Sequence, residues 1–103
     1  MLRIELLLDP DCPNVPEARA NLRQALLELG LEPVWSEIDR HSLNAPEYAR
    51  SYGSPTVLVS GRDVAGSQAQ GRLDCCRIYR SSEGRAQGAP SVEIIKAALV
   101  SSA

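Results

Sequence analysis

Two prolines bracket a cysteine in Pro10-Asp11-Cys12-Pro13, and they separate an apolar strand from an amphipathic helix. This junction limits the folds open to the chain more than any other feature. Proline lacks the N–H that a strand ladder needs, so the run Arg3 to Leu8 has to end at the Asp9-Pro10 step. In that run Ile4, Leu6 and Leu8 share one face while Leu7 adds apolar character to the other, which suits a central strand covered on both sides. Beyond the turn, Val15, Ala18, Leu22, Ala25 and Leu29 are spaced 3, 4, 3 and 4. That is one face of a helix from about Asn14 to Leu29, with Gly30 as its stop. Pro13 and Pro16 fall where the missing N–H groups of a first turn cost little.

The rest of the chain extends this β-turn-α unit. Glu32 to Ile38 reads as a second strand, and two strands joined by a helix of this length form a right-handed parallel βαβ unit. Asn44-Ala45-Pro46-Glu47 offers an Asn cap with Glu three residues on, opening a short helix to about Tyr52 that Gly53-Ser54-Pro55 breaks. Thr56 to Val59 is β-rich, Ser60-Gly61 is a two-residue turn, and Arg62 to Val64 is a short returning strand. Pro90-Ser91 precedes Val92, Ile95, Ala98 and Leu99, an amphipathic final helix. Residues 66–89 carry no clear element, and Arg77 to Arg80 competes with Arg62 to Val64 for the place of fourth strand. A structureless loop of that length inside a domain is either functional or hides an element.

Composition excludes several classes. The 103 residues suffice for one domain, since domains peak at roughly 100–150 residues. Eleven Lys and Arg against thirteen Asp and Glu leave a formal charge of -2, with no long basic run, so the electrostatic footprint of a nucleic-acid binder is missing. Apolar runs such as Leu6-Leu7-Leu8 fall far short of the roughly 20 residues that span a bilayer. Glu5 and Asp9 interrupt any signal-like hydrophobic segment. The chain reads as a single cytoplasmic domain with neither a nucleic acid nor a membrane as partner.

The three cysteines, Cys12, Cys75 and Cys76, narrow the chemistry. An odd count argues against a structural disulfide framework. Without a Cys-x-x-Cys pair, and with His41 as the only histidine, no zinc-finger ligand set can be assembled. Cys12, in front of a helix, faces the unpaired N–H groups of its first turn and the positive end of the macrodipole, a setting that favours a thiolate. Asp9 and Asp11 oppose this if they point inward. The position between strand and helix favours exposure; the plainer alternative is an inert thiol packed under the turn.

The order β-α-β-α-β-β-α, with Cys12 at the mouth of the first helix and Ser54-Pro55-Thr56 opening the third strand, resembles the thioredoxin fold and its glutaredoxin-like branch. Cys12-Pro13-Asn14-Val15 looks like the glutaredoxin Cys-Pro-x-Cys motif with its second cysteine replaced. Ser54-Pro55-Thr56 stands where that family keeps a cis-proline, and residues 57–67 resemble its strand-turn-strand and the Gly-rich corner, here Gly66-Ser67, that holds glutathione. The chain is also similar to small bacterial thioredoxin-like proteins, in some of which selenocysteine replaces the nucleophile. The resemblance covers residues 1–67 and the last helix. It implies an α/β fold with a four-stranded mixed sheet in the order 2-1-3-4, three main helices and an insertion before the last of them.

It also implies a monothiol exchange protein. Cys12 is the nucleophile, no cofactor is needed, and glutathione or a thiol-bearing protein is the partner. Pro13, Ser54, Pro55, Gly66 and Ser67 form the substrate-binding surface. With Val15 in place of the second cysteine, a mixed disulfide on Cys12 has to be resolved by glutathione or by Cys75 or Cys76. Two other readings stand beside this one. Cys12, Cys75 and Cys76 together offer soft thiolates to mercury, copper, arsenite or an organomercurial. Alternatively, the fold is a redox-inert module that binds a partner with the same face. His41, in the loop after the second strand, is expected on the surface and away from Cys12.

Overall fold

The structure is a computed structural model that describes residues 3–65, 79–80 and 86–102. Strand β1 (Ile4–Leu8) is followed by helix α1 (Val15–Glu28), strand β2 (Ser36–Asp39), a 3-10 segment (Glu47–Ser51), and strands β3 (Thr56–Val59) and β4 (Arg62–Asp63). A short ladder of β5 (Tyr79–Arg80) and β6 (Ala86–Gln87) precedes helix α2 (Val92–Ser102). The first four strands form one mixed sheet in the order β2-β1-β3-β4. β1 runs parallel to β2, with Leu8 opposite Asp39, and antiparallel to β3, with Leu6 opposite Val57. The fourth strand is therefore the one read at Arg62, while Tyr79–Arg80 pairs separately with Ala86–Gln87.

Every residue of β1 is buried. On one face Ile4, Leu6 and Leu8 join Val15, Ala18, Leu22, Ala25 and Leu26 of α1, together with Ile95 and Leu99 of α2. On the other face Leu7 packs with Leu58 and Ala49, flanked by Ile38, Ala45 and Tyr52. Burying one such leucine is worth roughly 1.5–3 kcal/mol, so the alternation along β1 is the main force that seats both layers. Glu5 shares the second face and is buried too, where the Tyr48 hydroxyl donates to its carboxylate and Arg3 lies 3.3 Å away. That hydrogen bond, reinforced by burial, holds the Tyr48 phenol above the ordinary tyrosine range.

The local signals end the elements where expected in two places. Helix α1 closes with Gly30 at φ 74°, and the N–H groups of Gly30 and Leu31 donate to the carbonyls of Leu27 and Leu26. This is the paired hydrogen bonding of a Schellman stop. Ser60 and Gly61 both take positive φ, the requirement of a two-residue turn whose twist matches its strands. Elsewhere the expectations shift. Val34 is 68% exposed and β2 begins only at Ser36, because this edge strand follows the register of β1 rather than its own alternation. The expected middle helix is a single 3-10 segment: Pro46 stands extended at its start, and the chain is extended again by Tyr52. The described residues thus hold two α-helices, not three. No helix among them is long and apolar enough to cross a membrane.

A Cβ added to Gly30 meets nothing within 4 Å, so any penalty there is purely conformational. Gly30→Ala should lower the unfolding free energy by about 1 kcal/mol through the left-handed backbone it must adopt. A urea titration measures this, and an unchanged midpoint would contradict the Schellman assignment.

Candidate functional site

The Cys12 loop is built from two consecutive turns, each with proline in its second position. The Cys12 N–H donates to the Asp9 carbonyl at 2.9 Å, across Pro10, and the Val15 N–H donates to the Cys12 carbonyl at 3.3 Å, across Pro13. Proline is favoured at that turn position because its fixed φ is already correct. The second turn delivers the chain to Asn14, the N-cap of α1, which makes no capping side-chain bond. Cys12 thereby stands at the C-terminal end of β1, just before the helix, as the sequence spacing implies.

Its side chain turns inward. Cys12 is only 7% exposed and belongs to the same apolar cluster as Val15, Val64 and Ala89. This corrects the expectation of an exposed thiol: the turn residues Pro10, Asp11 and Pro13 are exposed, and the cysteine between them fills the core side of the loop. Its Sγ donates to the carbonyl of Ser54 at 3.9 Å. Ser54 and Pro55 are fully buried, and the peptide bond between them is cis. The Thr56 hydroxyl donates to the Gly53 carbonyl at 2.6 Å, tying this loop to the start of β3.

Asp9 joins the two loops. Its N–H donates to Ser54 Oγ at 2.9 Å, and its carbonyl receives the Cys12 N–H. Its carboxylate is held by Arg40 Nη1, at 2.6 and 2.7 Å from the two oxygens, and by His41 Nε2 at 3.0 Å. Arg40 is 1% exposed, and its own N–H donates to the Leu8 carbonyl, continuing the parallel ladder one step past β2. A buried guanidinium needs such a partner, because an uncompensated buried charge costs several kcal/mol. His41 is on the surface as expected, with its side chain 62% exposed, but it is not remote from Cys12. Parallel pairing of β1 and β2 brings both strand ends to one edge of the sheet, so His41 touches the residue that begins the Cys12 turn.

Of the residues singled out in the sequence, Cys12, Ser54 and Pro55 meet here, and Pro13 sits exposed on the rim. Gly66, Ser67, Cys75 and Cys76 lie outside the described residues. Arg40 is the member that sequence reasoning overlooks. Its only signal is positional: with Leu8 opposite Asp39, the next pair in the register is Asp9 and Arg40. Among the described residues, no group of three His, Cys, Asp or Glu side chains could hold a metal ion. Comparison of the chain with protein-family models, curated proteins and solved structures gives no match.

The segment before α2 closes the site against the start of α1. Ala89 packs in the Cys12 cluster, Asn21 Nδ2 donates to the Pro90 carbonyl at 2.9 Å, and a Cβ on Gly88 would collide with the Asn14 side chain. Gly88→Ala should therefore push the Asn14 amide, the end of a flexible side chain, aside and lose about 1 kcal/mol of stability or less, which Asn14→Ala in the same chain should restore. A double-mutant cycle by chemical denaturation reads the coupling. Equal stability of Gly88→Ala and the parent would show that this approach is not tight.

Proposed function

We propose that the chain is a thioredoxin-like protein of the glutaredoxin-like monothiol type, catalysing thiol–disulfide exchange through Cys12. The observation that carries this reading is the Cys12 thiol lying 3.9 Å from the carbonyl of Ser54, the residue before Pro55, at the end of the central strand. The sheet order β2-β1-β3-β4 supports it, since that order puts the Cys12 loop and the Ser54 loop on adjacent strands. In this proposal the Cys12 thiolate attacks one sulfur of a disulfide, forming a mixed disulfide and expelling the other half as a thiolate. Glutathione then attacks the partner's sulfur of the mixed disulfide and expels Cys12 as a thiolate, which takes up a proton. Alternatively Cys75 or Cys76 attacks the Cys12 sulfur and expels the partner as a thiolate, leaving an internal disulfide that glutathione reduces.

The backbone of Ser54 contributes recognition in the proposal. Its carbonyl, which accepts the thiol S–H in the resting protein, becomes free to accept from an extended substrate once the sulfur is bonded elsewhere. Main-chain pairing of that kind adds affinity without demanding a particular side chain. Gly66 and Ser67 complete the corner for glutathione, and Pro13 shapes the rim. No cofactor takes part. The chemistry suits a reducing, cytoplasmic setting, where a lone thiol stays available for exchange.

Incubation of the reduced protein with glutathione disulfide should give a glutathionyl adduct on Cys12, identified by peptide mass spectrometry and absent from Cys12→Ser. Labelling confined to Cys75 and Cys76, or no labelling at all, would remove Cys12 as the nucleophile.

A further inference from the structure

We infer that Arg40 is a positioning residue for the Cys12 thiol, acting through Asp9; the inference rests on the proposed exchange chemistry at Cys12. Besides the direct contact of its sulfur with the Ser54 carbonyl, two hydrogen bonds tie the Cys12 turn to the Ser54 loop, and both pass through one residue. The Asp9 carbonyl fixes the Cys12 N–H at 2.9 Å, and the Asp9 N–H fixes Ser54 Oγ at 2.9 Å. Asp9 lies immediately beyond the end of β1, before Pro10, so the β1 ladder itself does not hold its backbone. What holds Asp9 from the side is the Arg40 guanidinium, with both carboxylate oxygens within 2.7 Å.

Arg40 is suited to that task because it cannot move far. Its side chain is buried, and its backbone is anchored to Leu8 by a 2.9 Å hydrogen bond in continuation of the sheet. The other side chain on Asp9, that of His41, is largely exposed, and its residue is held by a backbone bond from the His41 N–H to Asp39 Oδ1. The rigid partner is thus Arg40, and the sheet register is transmitted through it to the turn that carries the thiol. Loss of the guanidinium leaves the Asp9 carboxylate to the exposed His41 side chain, and the residue that joins the Cys12 and Ser54 loops is then held less firmly. Displacement of a reacting group by about 1 Å can slow a reaction on the order of 100-fold.

A purely structural role and a positioning role differ in sign. If Arg40 only stabilises the fold, removing it loosens the loop over a buried thiol and Cys12 reacts faster. If Arg40 positions the thiol, removing it makes Cys12 react more slowly with glutathione disulfide. We therefore expect Arg40→Met to slow adduct formation by roughly tenfold or more. Arg40→Lys, which returns a cationic donor to Asp9, should recover most of the rate. The amides of Asp9 and Cys12 should exchange hydrogen faster in Arg40→Met than in Arg40→Lys, while those of Leu6 and Val57 change together in both. If Arg40→Met does not fold, Asp9→Asn takes its place, with slowing of the same kind expected. Variants that react as fast as the parent or faster overturn this inference alone. A parent protein that forms no Cys12 adduct overturns the exchange reading instead, and the amide measurement still decides whether Arg40 anchors the turn.

Discussion

Strand β1 has neighbours on both edges and apolar layers on both faces, and the rest of the molecule is arranged by that requirement. Its two edges take β2 and β3 in opposite senses. One face draws in both α-helices, and the other takes the 3-10 segment and the loop around it. A five-residue strand buried at every position leaves little freedom of register, because a slip by one residue would turn Glu5 away from Tyr48 and into the face that packs on the helices. The C-terminal end of β1 is consequently a fixed point. Cys12, four residues beyond it, inherits that fixity through one short turn and is tied onward to helix α1 by a second.

The same arrangement explains how a polar cluster survives beside the core. Asp9 and Arg40 occupy the first positions past the paired ends of β1 and β2, where the sheet gives way to loop. Asp9 keeps partial access to water while Arg40 has none, an asymmetry that places the cost of burial on the guanidinium and its satisfaction on the carboxylate. Cys12 lies on the apolar side of this boundary and Ser54 bridges it, with its hydroxyl toward Asp9 and its carbonyl toward the sulfur. The thiol is therefore shielded by a turn whose outer residues are exposed. Local opening of such a turn requires less free energy than unfolding of the core beneath it.

Much of this was legible in residue order, and the reasons for the exceptions are physical. The 3-4 spacing of Val15, Ala18, Leu22 and Ala25 specifies a helix because each lies on the buried stripe, and Gly30 stops it by taking the left-handed conformation. Ser60-Gly61 specifies its turn for the same reason of backbone sign. Val34 and Trp35 misled because β propensity does not say whether a partner strand is present; pairing begins at Ser36. The middle helix was shortened by its flanks, since Pro46 and the Tyr52 to Pro55 stretch leave one tight turn between them. The pairing of Asp9 with Arg40 spans 31 positions and depends on strand register, which periodicity does not encode. The inward rotation of Cys12 depends on which side of a two-turn loop faces the core, and proline placement alone fixes the turn but not that side.

The central claim is that Cys12 is a reactive thiol although its side chain is covered. The most direct measurement is the rate at which each cysteine of the folded, reduced protein reacts with a trace amount of a thiol reagent, set against the rate of global unfolding under the same conditions. The account predicts that Cys12 reacts much faster than the protein unfolds, and faster than Cys75 and Cys76. Reaction of Cys12 only as fast as the whole domain unfolds would make it a core side chain and contradict the account.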